Sequence, residues 1–459
     1  MAPPPPESAR PGLGRDGIRR WALGLLVAAA IPDVLPYAGL ASLVGERFQK
    51  SDAEVQLFAV AALMGALLAV PLIRRVRDSS PRRVFAVAAL VQAFAIALMA
   101  LPVSWELLLL LRGLQGGADL LTLVTLTTVV ASHARGTGRG FGASGSAIFC
   151  GLAAGLVGGG LLAASYPLIV FPLSAAISLL LALAAFGLPA LHVAARQVRA
   201  TRIFDRRILF GGAFAASDRM IPGMVTVSLP LLLVATMDAS PTVIGIVLGA
   251  PLLACAMGGY ASGILIDRIG GVSGRLIGVP LQGLGLSLVV LSEGVLSVLL
   301  IGTLLMALGA MILLPTSLVL GTGRRTDQIE VDAVGGIQAI GQGGHLAGVS
   351  VGFILTAVAG EVTTWGVLGV VLFYLAWNAG FLWRLVRDDA ALPRPGPQFE
   401  RASRQPIGPL PSRVTRTRSG SLIDPPSSSY DEGSSDEAPG KVDQSCPSTN
   451  TNASRTARS

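Results

Sequence analysis

Between Trp105 and Val130 the chain reads WELLLLLRGLQGGADLLTLVTLTTVV. As a helix, ~20 apolar residues rising 1.5 Å each cross the ~30 Å hydrocarbon layer of a bilayer. This run is long enough to do so, yet it contains Arg112, Gln115 and Asp119. Their i, i+3, i+7 spacing puts all three on one helical face. A charge at that depth costs at least ~2.5–3.5 kcal/mol. The face must therefore look into protein or a wet cavity, with a partner for the guanidinium. An Arg–Asp staple between two helices would meet that need, and so would a functional passage; ionisable groups inside a membrane favour the passage. Gly116 and Gly117 lie beside the charges, where they admit a neighbouring backbone.

Composition extends this reading to the whole chain. Of 459 residues, 52% are hydrophobic and 14% charged, against ~25% charged in soluble domains. The apolar segments do not alternate with polar residues as the strands of a membrane barrel would. The class is therefore an all-α polytopic membrane protein. Its 56 glycines suit helices that pack closely within a bilayer. The net charge of +8 sits in turns and tails, where it sets topology, so no nucleic acid is expected. Cys150, Cys255 and Cys446 are scattered, as are the three histidines, so neither a disulfide framework nor a metal site is expected.

Twelve apolar runs follow one another. A Pro-rich tail over 1–20 precedes six spans over 21–193. A basic linker over 194–207, AARQVRATRIFDRR, precedes six more spans over 208–386. The segment 387–459 is rich in Pro, Ser, Thr and Arg and is expected, like the first tail, to stay disordered. The first span, Trp21 to Val44, holds Asp33 between Pro32 and Pro36. The seventh holds Asp218 and Arg219, whose side chains point about 100° apart on a helix and cannot both face one spot. The eleventh holds Gln338, Gln342 and His345 at i, i+4, i+7, one polar face that either bonds a neighbouring helix or touches substrate. The fifth, Phe141 to Ala164, is studded with glycines, which serve tight crossing or hinge motion.

Orientation follows from the turns. Even-numbered connections carry the arginines: Arg74, Arg75, Arg77, Arg82 and Arg83 after the second span, through Arg268, Arg275, Arg324 and Arg325 in the second half. Odd-numbered connections hold Arg47 and Lys50. This asymmetry puts both termini in the cytoplasm.

Two sets of six spans around a basic loop resemble the major facilitator superfamily. GGYASGILIDRIGG resembles the family's inner-loop signature through Gly259, Gly263, Asp267, Arg268 and Gly270. The first-half counterpart keeps Asp78, Arg82 and Arg83, while Arg74 and Pro81 replace its glycines. The resemblance implies that these loops latch the inner gate by pairing an acid with helix ends. Arg112, Gln115 and Gly116 match the family's Arg-x-x-Gln-Gly pattern, whose arginine is implied to couple protons. Gly142, Gly151, Gly155, Gly159 and Gly160 resemble the antiporter motif, with Leu156 where its proline stands. Asp33 is similar to the acid that drug:proton antiporters carry in their first span.

The expected fold is twelve transmembrane helices in two pseudo-symmetric six-helix bundles. The expected function is proton-coupled export of small apolar or amphipathic compounds by a monomer in the plasma or inner membrane. The proton gradient would drive it, and no cofactor is called for. The proton-coupling and substrate residues would be Asp33, Arg112, Gln115, Asp119, Asp218, Arg219, Gln338, Gln342 and His345. Those of the gate would be Asp78, Arg82, Arg83, Gly155, Gly159, Gly259, Gly263, Asp267 and Arg268. Import of a sugar, peptide or organic acid is the alternative on the same fold. A membrane-embedded enzyme would need nucleophile, base or metal ligands clustered at one membrane face, and the sequence has no such cluster.

Overall fold

The computed structural model describes residues 15–73, 80–134, 136–187, 206–292, 295–322, 331–359 and 364–391. Residues up to Leu392 form one compact unit. Among the described residues lie twelve α-helices of 15 to 32 residues. They are α1 (Arg15–Val34), α2 (Asp52–Leu68), α3 (Pro81–Met99), α4 (Trp105–Ser132), α5 (Thr137–Ser165) and α6 (Val170–Ala184), followed by α7 (Arg206–Met237), α8 (Pro241–Ile269), α9 (Gly271–Val290), α10 (Leu296–Thr322), α11 (Val331–Ala359) and α12 (Thr364–Ala391). By length and composition, ten of the helices can cross a membrane; the apolar part of α2, Glu54–Leu68, is shorter.

The packing repeats with a shift of six. In the first sextet α1 packs on α4 and α5, α4 on α2 and α3, and α3 on α6. In the second, α7 packs on α10 and α11, α10 on α8 and α9, and α9 on α12. The sextets meet along α5–α8 and along α2–α11, and a shift of six exchanges these two seams. Lipid tails are as apolar as leucine, so such helices are held by close packing and interhelical hydrogen bonds. Small residues make the seams. A Cβ on Gly142 would stand 2.6 Å from the Gly259 carbonyl oxygen, and one on Gly155 would stand 2.6 Å from Val34 Cγ2. The glycines of α5 thus serve close approach on two faces, Gly151 and Gly155 toward α1 with Gly159 toward Leu35 just after it, and Gly138, Gly142 and Gly160 toward α8.

Local chemistry sets several helix ends. Ser51 and Glu54 form a capping box at α2, and Ser104 and Ser240 accept from the first turns of α4 and α8. Gly270 joins α8 to α9 at φ 85°, which a residue with a Cβ resists.

The structure differs from expectation in three places. The first helix begins at Arg15, inside the expected 1–20 tail, and it stops at Val34 rather than Val44. A 3₁₀ turn (Tyr37–Gly39) and a π-helical turn (Ala41–Glu46) complete that span, because Pro36 cannot supply the N–H that would continue the α-helix. Finally, α9 begins at Gly271 instead of Leu276, which draws Arg275 out of the turn and into the helix, fully buried. Arg275 is thus no topology charge. Residues 1–14, Asp78, most of the 194–207 linker and the 393–459 tail lie outside the described residues.

Candidate functional site

Between the sextets lies a cavity of ≈ 280 Å³. Its walls come from α1, α2, α4 and α5 of the first sextet and α7, α8, α10 and α11 of the second. Most of the lining is apolar, including Leu63, Phe149, Leu152, Leu252 and Leu314. Among its polar residues are Asp33 and Asp119 on the first-sextet side, and Asp218, Arg219, Gln338, Gln342 and His345 on the other.

On the first side Arg112 organises the charges. Its Nη2 lies 3.0 Å from Asp33 Oδ1 and also donates to the Asp33 carbonyl at 3.2 Å and to Tyr37 Oη at 3.1 Å. That carbonyl is free because α1 ends one residue later. Arg112 Nη1 donates to Gln115 Oε1, and Gln115 Nε2 reaches Asp33 Oδ1 at 3.5 Å. The guanidinium carbon lies 4.7 Å from the Phe58 ring centroid, close enough for cation–π attraction. Arg112 and Gln115 are buried and do not border the cavity; they back Asp33, which does. Expectation had put them in the cavity wall. The reason is Asp33 on α1, to which both side chains bond from behind the wall. Asp119, one turn on from Gln115, borders the cavity, and its Oδ1 has no hydrogen-bond partner.

On the second side the two adjacent charges part company. Asp218 accepts from Arg275 Nη1 at 3.0 Å and Nη2 at 2.6 Å, a bidentate pair. Arg275 also donates to Asn378 Oδ1 and lies 4.0 Å from the centroid of the Phe214 ring. Pro222, four residues after Asp218, has no N–H for the Asp218 carbonyl, and Gln282 Nε2 takes that carbonyl at 3.0 Å. Tyr374 Oη donates to Gln282 Oε1 at 2.9 Å. Arg219 turns the other way, to Gln338 Oε1 on α11. The pairing of Asp218 and Arg219 with the charges of α1 and α4 across the cavity therefore does not occur.

Sequence reasoning missed Arg275, Gln282, Tyr374 and Asn378. A signal existed, because Arg275 and Gln282 are seven apart on α9 and Tyr374 and Asn378 four apart on α12, one polar face each.

At one end of the α5–α8 seam, Asp267 Oδ1 accepts from Gly138 N at 2.8 Å and its Oδ2 from Arg139 N at 3.1 Å, with Arg139 Nε 3.8 Å away. A carboxylate at a helix N-terminus satisfies orphan donors and the helix dipole together. Gly263 leaves room for the Gly138 backbone, as Gly259 does for Gly142. Arg268 lies in the last turn of α8. In the first-half counterpart Arg82 stacks 4.9 Å from the Phe186 ring centroid, Arg83 is exposed, and Asp78 lies outside the described residues.

Residues 22–205 match the family model described as Major Facilitator Superfamily. No curated protein matches the chain. A solved structure similar to it is that of the human organic anion transporter MFSD10 (TETRAN), at 16% identity and a TM-score of 0.62, covering 80% of this chain and 99% of that one. The chain has the major facilitator superfamily fold. The likeness extends to the arrangement of two sextets around a central cavity.

Proposed function

We propose that this chain of the major facilitator fold is a proton-coupled secondary transporter that exports small apolar or amphipathic compounds. It would work as a monomer in the plasma or inner membrane, with both termini cytoplasmic. The observation that carries the reading is the Asp33–Arg112 pair, at 3.0 Å, set into the wall of an otherwise largely apolar cavity between the sextets. The pair ties α1 to α4. A proton on Asp33 removes the charge that holds Arg112, so proton load and helix packing are linked. Rocking of the sextets about the cavity then exchanges protons for substrate. The antiporter-like glycines of α5 and the acid of the first span support export.

A drug and metabolite panel, run on cells with and without the gene at two external pH values, first identifies a substrate. Asp33→Asn in proteoliposomes is then expected to abolish pH-driven flux of that compound while equilibrium exchange persists. Unchanged pH-driven flux would remove Asp33 from the coupling step. The alternative is import, with Arg219, which faces the cavity, gripping an anionic metabolite; accumulation rather than depletion of label in energised cells would establish it.

A further inference from the structure

Each side of the cavity has one closed charge pair, Asp33 with Arg112 and Asp218 with Arg275. Two charges remain beyond these pairs, Asp119 on α4 and Arg219 on α7. They are not equivalent. A carboxyl group can shed its charge by taking a proton, whereas a guanidinium stays charged in proteins. Of these two, Arg219 is therefore the one whose charge is permanent.

The surroundings of Arg219 are built to present it. Among the described residues no carboxylate stands within ion-pair distance of it. Its Nη2 donates to Gln338 Oε1, which leaves the other guanidinium donors and the Gln338 amide NH₂ for a ligand. The Arg219 side chain packs against α11 at Gly341, where that helix has no side chain. A Cβ on Gly341 would stand 3.1 to 3.2 Å from Arg219 Cδ, Nε and Cζ. Gln342 and His345, from the next turn of α11, also border the cavity. Leu314, Leu318 and Ile337, which pack in one apolar cluster, line the same cavity.

We propose that Arg219, Gln338, Gln342 and His345 form an anion seat, and that the transported compound is an amphipathic organic anion. Its acidic head is a carboxylate or sulfonate held by the Arg219 fork, and its apolar body lies along the leucine-lined wall. The proposal rests on the transport reading above but is tested apart from it.

The probes are three compounds with one body: 1-naphthylacetate, its neutral amide and 1-naphthylmethylammonium. Their binding to the full chain in nanodiscs is measured by calorimetry. The anion is expected to bind at least tenfold more tightly than the amide and to raise the unfolding temperature where the amide does not. Arg219→Gln should erase the preference and leave amide affinity within about twofold, Arg219→Lys should restore part of it, and Gly341→Ala should weaken the anion severalfold by displacing the guanidinium. If Arg219→Gln does not fold, Arg219→Lys, Gly341→Ala and the wild-type preference carry the test. An anion that binds no better than the amide, a tighter cation, or a preference that survives Arg219→Gln would overturn the seat. If the anion binds through Arg219 but proteoliposomes do not move it, the seat stands and the transport reading falls. Transport with no preference for anions does the reverse.

Discussion

Removing the charge of Asp218 tests the most enclosed ion pair among the described residues. Arg275 is fully buried and the Asp218 side chain is 8% exposed. Two N–H···O bonds of 3.0 and 2.6 Å join them, and the Asn378 amide oxygen and the Phe214 ring complete the surroundings of the guanidinium. Breaking a buried pair by deleting one partner costs ~3–5 kcal/mol, because the other charge is left uncompensated. In Asp218→Asn the amide oxygen keeps one hydrogen bond from the charged guanidinium, of a kind worth ~1.5–3 kcal/mol, and Gln282 keeps its bond to the backbone carbonyl. The expected cost is then about 3 kcal/mol, near the lower end of that range and roughly a hundredfold in the folded-to-unfolded ratio. Replacing both partners, in Asp218→Asn with Arg275→Met, removes the stranded charge and should bring stability back to within ~1 kcal/mol of wild type. The assay is a double-mutant cycle on reversible unfolding in mixed micelles, followed by tryptophan fluorescence. Asp218→Asn costing less than ~1 kcal/mol, or a double variant as unstable as the sum of the singles, would refute the claim that the pair is closed and charge-compensated.

Two further outcomes follow from the helix ends. Asp267→Ala removes the acceptor of the Gly138 and Arg139 amides, so hydrogen exchange at those two amides should speed up more than tenfold while the middle of α5 is unchanged; unaltered exchange would remove the latch. The pKa of Glu54, in the first turn of α2, is held down to about 2, first by the hydrogen bond from Lys50 and then by those from Ser51. A depressed carboxylate stabilises fully above its unfolded value and loses that contribution as pH falls through the folded one. The capping box should therefore be intact at pH 4 and fade toward pH 2, which backbone exchange of the first α2 turn can follow; a loss already complete at pH 4 would contradict it.

How far the site was legible depended on the kind of information each residue carries. Arg112, Gln115 and Asp119 are separated by whole turns of one helix, so their shared face was readable from spacing alone. What that face meets was not. Arg112 and Gln115 turn to Asp33 and only Asp119 of the three borders the cavity, which depends on how α1 lies against α4. Asp218 and Arg219 had to diverge because neighbours on a helix do. Their partners are Arg275 and Gln338, 57 and 119 residues away, and nothing local selects them. Arg275 was misread because an arginine near a turn looks the same whether it faces water or the bundle. Gly271 starts α9 one turn earlier than hydropathy suggests, and that extra turn carries Arg275 inward.

The amino-acid order alone determined that this chain lies in a bilayer as helices, how many runs it has, and that several charges must turn away from lipid. Those conclusions rest on local quantities, a rise of 1.5 Å per residue and the cost of a charge in hydrocarbon. The tertiary structure decided which acid each arginine neutralises and which charges remain over, leaving Asp119 and Arg219 facing the cavity. Pairing depends on the rotation and depth of helices far apart in the chain, and those are set by backbone contact at glycine seams such as Gly142 with Gly259.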